Sequence, residues 1–165
     1  MTGVVVDVET TGYTKNDSII SISLLKFTGS RVDRIFSTYV NPGRVIPRNI
    51  TELTGINNII VLGFPSFKDG LAAKIKNFIG MHQLYAYNAP FEARFMRNIY
   101  CRDIKVNDVM APLRKHFKWD KNKKLKEAAE YLKLEVGDVH NSLSDALLCF
   151  NLINVLNRNG YRWEL

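Results

Sequence analysis

Strand-rich at its start and alternating between helix and strand afterwards, the sequence predicts an α/β fold built on one mixed sheet with helices on its faces. Three observations carry this expectation. β-Branched and alternating apolar runs fill most of the first forty residues. A glycine turn joins two of those runs, and helical periodicity separates the short apolar runs that follow.

The elements follow in order. Val4–Val8 is a strand by its β-branched enrichment, and Ile19–Phe27 alternates Ile20, Ile22 and Leu24 against Ser21, Ser23 and Leu25. Thr28-Gly29-Ser30 turns the chain into a third strand, Arg31–Val40, which completes an antiparallel meander. Asn41-Pro42-Gly43 breaks the pattern, and Pro47 through Gly55 reads as a short helix closed by glycine. Phe67–Ile79 has Leu71, Ile75, Phe78 and Ile79 at helical spacing. Leu84–Tyr87 is a short apolar strand, Ala89 to Tyr100 a helix, and Lys105–Val109 a fifth strand. Helices over Ala111–Phe117, Leu125–Leu132 and Leu143–Asn157 complete the set. No repeat, low-complexity tract or linker divides residues 1–165, so a single domain is expected.

Length and composition set outer limits. A chain of 165 residues can enclose a core without disulfides or structural metals. Its 46% hydrophobic and 24% charged residues are ordinary for a globular protein. The net charge of +7 favours a polyanionic partner, nucleic acid before a membrane surface. The first strand starts too close to Met1 to leave room for a signal peptide, and no apolar run reaches membrane-spanning length. A soluble, cytoplasmic protein is expected, with Cys101 and Cys149 as buried free thiols among apolar neighbours.

The most informative residues lie on the first strand. In Asp7-Val8-Glu9 the two carboxylates are two residues apart and point to one face. Like charges held that close repel unless a proton or a cation lies between them, and a hard divalent cation takes carboxylate oxygens. Asp145 opens a helix that is apolar around most of its circumference. Compensation of the helix dipole accounts for many first-turn acids, but a buried carboxylate needs a partner, which a metal supplies. His140 stands five residues earlier on a polar lead-in, and an imidazole near its ordinary pKa suits a general base. Glu92 follows Asn88 as N-cap and Pro90 in the first turn, and capping with dipole compensation explains it without chemistry. Asp108 is read as an N-cap, and His82 and His116 receive no role.

Taken together, Asp7-Val8-Glu9-Thr10-Thr11-Gly12, Tyr87-Asn88-Ala89-Pro90-Phe91-Glu92 and His140-Asn141-Ser142-Leu143-Ser144-Asp145-Ala146 resemble the three motifs of the DEDDh, or DnaQ-like, exonucleases. Val40-Asn41-Pro42 through Thr54-Gly55-Ile56, Asp108-Val109 and Lys124-Leu125 extend the resemblance along almost the whole chain. It implies a ribonuclease-H-like, mixed five-stranded sheet and a 3′→5′ exonuclease using two Mg²⁺ or Mn²⁺ ions. It also implies Asp7, Glu9, Glu92 and Asp145 as metal ligands and His140 as general base. Thr10, Thr11, Asn88 and the Thr54-Gly55-Ile56 turn would lie against the terminal nucleotide. The expected substrate is single-stranded or frayed DNA, releasing nucleoside 5′-monophosphates. RNA trimming is the rival within the enzyme class. A polymerase or other nucleic-acid-processing protein is the partner such a chain could serve in trans.

Two departures from the family pattern stand out. Glu92 replaces an aspartate and Tyr87 a histidine. Glutamate keeps the charge but adds a methylene and a torsion, and Mg²⁺ geometry is demanding. Three outcomes are open: the backbone retreats to compensate, the site prefers the more tolerant Mn²⁺, or activity is reduced. From a different class, the rival is a nucleic-acid-binding module on the same scaffold, with Glu92 marking a crippled site. Ser142 stands where alanine is usual, a change expected to fit sterically. Finally, Arg114 to Lys126 interleaves lysines with Phe117 and Trp119. Either the rings stack on bases and the lysines hold phosphates, or the rings turn into the core and the lysines are simply solvated.

Overall fold

Alternation along the first strand decides the architecture. β1 (Thr2–Thr10) is the middle strand of a five-stranded sheet in the order β3-β2-β1-β4-β5. This order was obtained from a computed structural model that describes residues 1–137 and 141–163. β2 (Ile19–Thr28) and β3 (Arg31–Tyr39) run antiparallel to their neighbours, whereas β4 (Leu84–Ala86) and β5 (Val106–Asp108) are parallel. The mixed sheet is therefore the one the sequence predicts.

Even-numbered β1 residues Val4, Val6 and Val8 face one core, against α3 (Leu71–Ile79) and α4 (Ala89–Tyr100). Odd-numbered Val5 faces the other, with Tyr85, Tyr87 and the apolar side of α7 (Ser142–Arg158). α5 (Met110–His116) and α6 (Leu125–Tyr131) pack on this second face beside α7. Period-two geometry therefore sends Asp7 and Glu9 to the α7 side. Gly3 sits where a Cβ would lie 2.5 Å from the Tyr85 ring, so only glycine lets the two strands pack there.

A satellite core of Ile20, Ile46, Ile50, Ile56 and Val61 holds the connection after β3. It contains α1 (Arg48–Thr54), ended by Gly55 in the left-handed region, and a short α2 (Asn58–Val61). α2 was not expected; the Asn57 side chain starts it by accepting from the Ile59 and Ile60 amides. The helix expected over Phe67–Ile79 is interrupted at Gly70, whose φ of 80° separates a single 3₁₀ turn from α3. At the far edge of the sheet, β3 exposes Arg31, Asp33 and Arg34 in its first half.

Two local expectations need correction. Asn88 stands at the start of α4 but its side chain makes no capping bond. Asp108 supplies that cap from β5: Oδ1 accepts from the Ala89 amide at 2.9 Å, while Oδ2 accepts from the Ala111 amide at 2.7 Å. One carboxylate thus caps two helices. The second correction concerns Cys101, which is exposed in the left-handed turn that ends α4; Cys149 is buried as expected.

These assignments are checkable. Asp108→Ala is expected to lower stability by roughly 1–4 kcal/mol in urea unfolding, from two lost caps at about 0.5–2 kcal/mol each. Asp108→Asn, which keeps one oxygen, should lose less. A thiol reagent should modify Cys101 in the folded protein and reach Cys149 only after denaturation, as read by mass spectrometry of intact protein.

Candidate active site

Three acids meet on the α7 side of β1. One oxygen each from Asp7, Glu9 and Asp145 lie within 4.8 Å of one another, and all three residues are half-buried. Asp7 and Glu9 arrive by strand alternation, and Asp145 by its place in the first turn of α7. Asn141 starts that helix, its Oδ1 accepting from the Leu143 and Ser144 amides at 3.0 and 3.3 Å.

A set of serines seats the helix on the sheet. Asp7 pairs across the β1–β2 ladder with Ser23, and Glu9 with Ser21. The buried Ser142 hydroxyl lies 2.7 Å from Ser21 Oγ and 2.8 Å from Ser23 Oγ, and Ser23 Oγ is 2.9 Å from Ser37 Oγ. Ser142 is therefore more than tolerated: it bonds the turn bearing Asp145 to the two β2 residues opposite the acids. The polar members of β2 were visible in the sequence, but a pairing register was needed to connect them to the site.

Burial and mutual repulsion raise the carboxyls of the cluster. Burial, followed by the nearby Glu92, Asp145 and Glu9 charges, holds the Asp7 carboxyl well above the usual carboxylate range. Burial and then Asp145 push Glu9 up to about 7. Glu92 is buried in the first turn of α4, and burial raises it to about 8; its own main-chain N–H opposes the shift, and Asp108 and Glu9 add to it. Glu92 Oε2 has no hydrogen-bond partner among the described residues. Glu92 stands outside the compact group of three, yet its charge is felt by Asp7. An orphaned buried carboxylate oxygen beside three crowded acids calls for a proton or a hard divalent cation, and the donor set fits such a cation. His140 lies outside the described residues.

The remaining predicted contacts divide in two. Thr10 and Thr11 are buried and their hydroxyls are committed locally: Thr10 Oγ1 donates to Gly12 O, and Thr11 Oγ1 to Asp17 Oδ1. Asp17 also accepts from the Thr14 amide and hydroxyl, which holds its carboxyl below the usual range and ties the loop after β1 into one unit. A Cβ on Gly12 would lie 2.7 Å from that carboxylate. Thr54 and Ile56, flanking Gly55, instead line an open groove of about 420 Å³ that runs past Tyr39 and Phe64 to Asn141 and Ser142. The groove thus connects the connection after β3 to the α7 N-terminus. Cys149 lies deeper; burial and then the surrounding carboxylates raise its thiol, so it is no nucleophile.

The raised carboxyls set the pH response of the metal-free protein. A group whose folded pKa exceeds its unfolded value of 4.5 favours folding below that value, and the advantage is lost as pH rises through the folded pKa. Stability without divalent ions should therefore fall between about pH 4.5 and 8. Mn²⁺ should restore it more at pH 8 than at pH 5.5, as read by thermal unfolding with and without chelator.

Comparison with known proteins agrees with this geometry. The family model for exonucleases of the RNase T type matches residues 4–153. The chain is 37% identical over 149 residues to a PolC-type DNA polymerase III of Clostridium perfringens, covering 87% of this chain and 10% of that protein. It is 31% identical over 173 residues to the DNA polymerase III subunit epsilon of Aquifex aeolicus, covering 99% and 85%. The chain thus spans about a tenth of the polymerase and most of the subunit. Among solved structures, the nuclease domain of 3′hExo, a DEDDh family member bound to rAMP, superposes with a TM-score of 0.84 at 17% identity, covering 99% and 94%. Exonuclease X in complex with 5′ overhanging duplex DNA gives 0.78 at 20%, covering 96% and 93%. The fold is that of the ribonuclease-H-like exonucleases, and the chain belongs to the DnaQ-like, RNase T family of exonucleases.

Proposed function

We propose that this protein is a metal-dependent 3′→5′ exonuclease acting on single-stranded or frayed DNA ends. The observation that carries the reading is the meeting of Asp7, Glu9 and Asp145 oxygens within 4.8 Å. Membership of the exonuclease family and the likeness to a DNA polymerase III epsilon subunit support it.

Asp7, Glu9 and Asp145 would hold two Mg²⁺ or Mn²⁺ ions, with Glu92 completing the acidic wall. When bound, such ions neutralise charge that develops on the scissile phosphate and the departing 3′ oxygen. The chain's own residues do the rest. The groove past Thr54 and Ile56 receives the terminal nucleotide and directs its phosphodiester to the acids. Ser142, through Ser21 and Ser23, fixes the turn from which Asp145 reaches in. His140 accepts a proton from the attacking water. The water oxygen bonds to phosphorus as the P–O3′ bond breaks, and the departing 3′ oxygen takes a proton from solvent, releasing a nucleoside 5′-monophosphate and leaving a 3′ hydroxyl on the shortened strand.

Glu92 is buried at the start of α4, where Asp108 fixes the helix end, so its longer arm is held rather than free. A polymerase or another nucleic-acid-processing protein is the partner this activity would serve in trans.

The test uses 5′-labelled DNA and RNA oligonucleotides with Mg²⁺, Mn²⁺ or chelator. A ladder shortening from the 3′ end is expected with metal and not with chelator. Asp7→Ala and Asp145→Ala should each cost more than the roughly 10–100-fold typical of changes outside the metal-binding shell. His140→Ala should lower kcat by about 10²–10⁴ and flatten its pH profile. Degradation that persists in these variants contradicts the assignment.

A further inference from the structure

The basic stretch between α5 and α6 takes no part in the site described above. Arg114–Lys126 carries seven of the chain's 23 Lys and Arg residues and one of its 16 Asp and Glu residues. It therefore contributes +6 of the net +7, and the other residues together are nearly neutral.

The structure separates its aromatic residues from most of its cations, Lys123 being the exception. Trp119 is 8% exposed within the α7-side core, and Phe117 is half-buried, stacked on it with ring centroids 6.0 Å apart. Tyr131 is more open, but Lys123 Nζ covers its ring at 5.0 Å and Trp119 meets it edge-on. Arg114, Lys115, Lys118, Lys121 and Lys124 point the other way: all are exposed, and among the described residues none forms an ion pair. Lys118 adopts a left-handed φ of 53°, which turns the chain back so that Trp119 enters the core.

This loop is also tied to the acidic site. Tyr87 Oη donates to the Lys123 carbonyl at 2.6 Å, and Tyr87 extends β4 on the sheet face that carries Asp7 and Glu9. The same chain continues through Asn88 into α4 and Glu92.

Surfaces for single strands combine cations with rings on which bases stack. Here two rings are turned in and Tyr131 lies under Lys123, and among the described residues five of the outward cations have no ion-pair partner, Lys126 alone pairing with Glu130. That combination suits the evenly charged backbone of a duplex, held through its phosphates without reading its bases. We infer that the exposed face of Arg114–Lys126 is a docking platform for duplex DNA lying behind the 3′ end being trimmed. This rests on the exonuclease reading for its purpose but not for its measurement.

The test is binding in chelator, where no hydrolysis occurs, with a blunt 20-base-pair duplex and a 20-nucleotide single strand as probes. Lys118→Gln/Lys121→Gln/Lys124→Gln should weaken duplex binding about tenfold or more. The slope of log K against log salt should become shallower by about 0.9 for each lost phosphate contact. Single-strand binding should change less than threefold, and hydrolysis of a tetranucleotide should be unchanged. A second variant, Arg114→Gln/Lys115→Gln, should act in the same direction, and the melting temperature checks that both fold. An unchanged duplex affinity and salt slope in both folded variants overturns the proposal. An equal loss for both probes also overturns it, because the surface would then follow a single strand. Should the unaltered protein bind duplex through these residues yet cleave nothing with any metal, the platform stands and the nuclease reading falls.

Discussion

Mutual repulsion among carboxylates held on one sheet face is the constraint from which the rest of the molecule follows. Asp7 and Glu9 cannot separate, because strand alternation puts both on the α7 side and β1 is the central strand. Asp145 is brought to them from the other end of the chain. An apolar scaffold would relieve such crowding by opening. This one resists through α7, whose buried Phe150, Leu152, Ile153 and Leu156 anchor the helix on the sheet well beyond the acidic turn. The large apolar face of α7 thus holds together, against the central strand, a group that electrostatics alone would disperse.

The hydrogen-bonding around the site serves the same end. Ser142 seats the α7 turn on β2, and Asp108 seats the first turn of α4 on β5, so both helices that present acids are fixed where they begin. Glu92 gains its reach from the extra methylene and loses freedom to burial. The groove past Thr54 and Ile56 is held on one side by its own small core and on the other by Ser21, Asn141 and Ser142, the same residues that seat the Asp145 turn.

Much of this was legible in the residues. Val4–Val8 and the Ser/Ile alternation of Ile19–Phe27 are period-two patterns, and both strands form where expected. Asp7, Glu9 and Asp145 were legible too, because acids in apolar segments stand out against their surroundings. Three features were not. The break at Gly70 is invisible when helical spacing continues on both sides of it. Asp108 reads as a cap for the helix that follows, while its second bond, to Ala89, depends on β4 and β5 lying side by side. Trp119 and Phe117 could face either way until the left-handed turn at Lys118 fixed their direction. In each case the missing information was tertiary: which strands pair, and which side of a loop is covered.

The outer edge of the sheet has a practical meaning. β3 runs nine residues with one flank of its backbone unpaired by any other strand of the sheet, the kind of rim along which copies of a protein can zip together. Arg31, Asp33 and Arg34 stud its first half, and bringing two such rims into register would force charged groups out of water. Farther along, Tyr39 meets the Phe64 ring edge-on, which screens the end of the strand. Concentrated solutions should therefore resist fibrillation at this rim, and neutralising those charges is the alteration most apt to turn a well-behaved preparation into a sticky one.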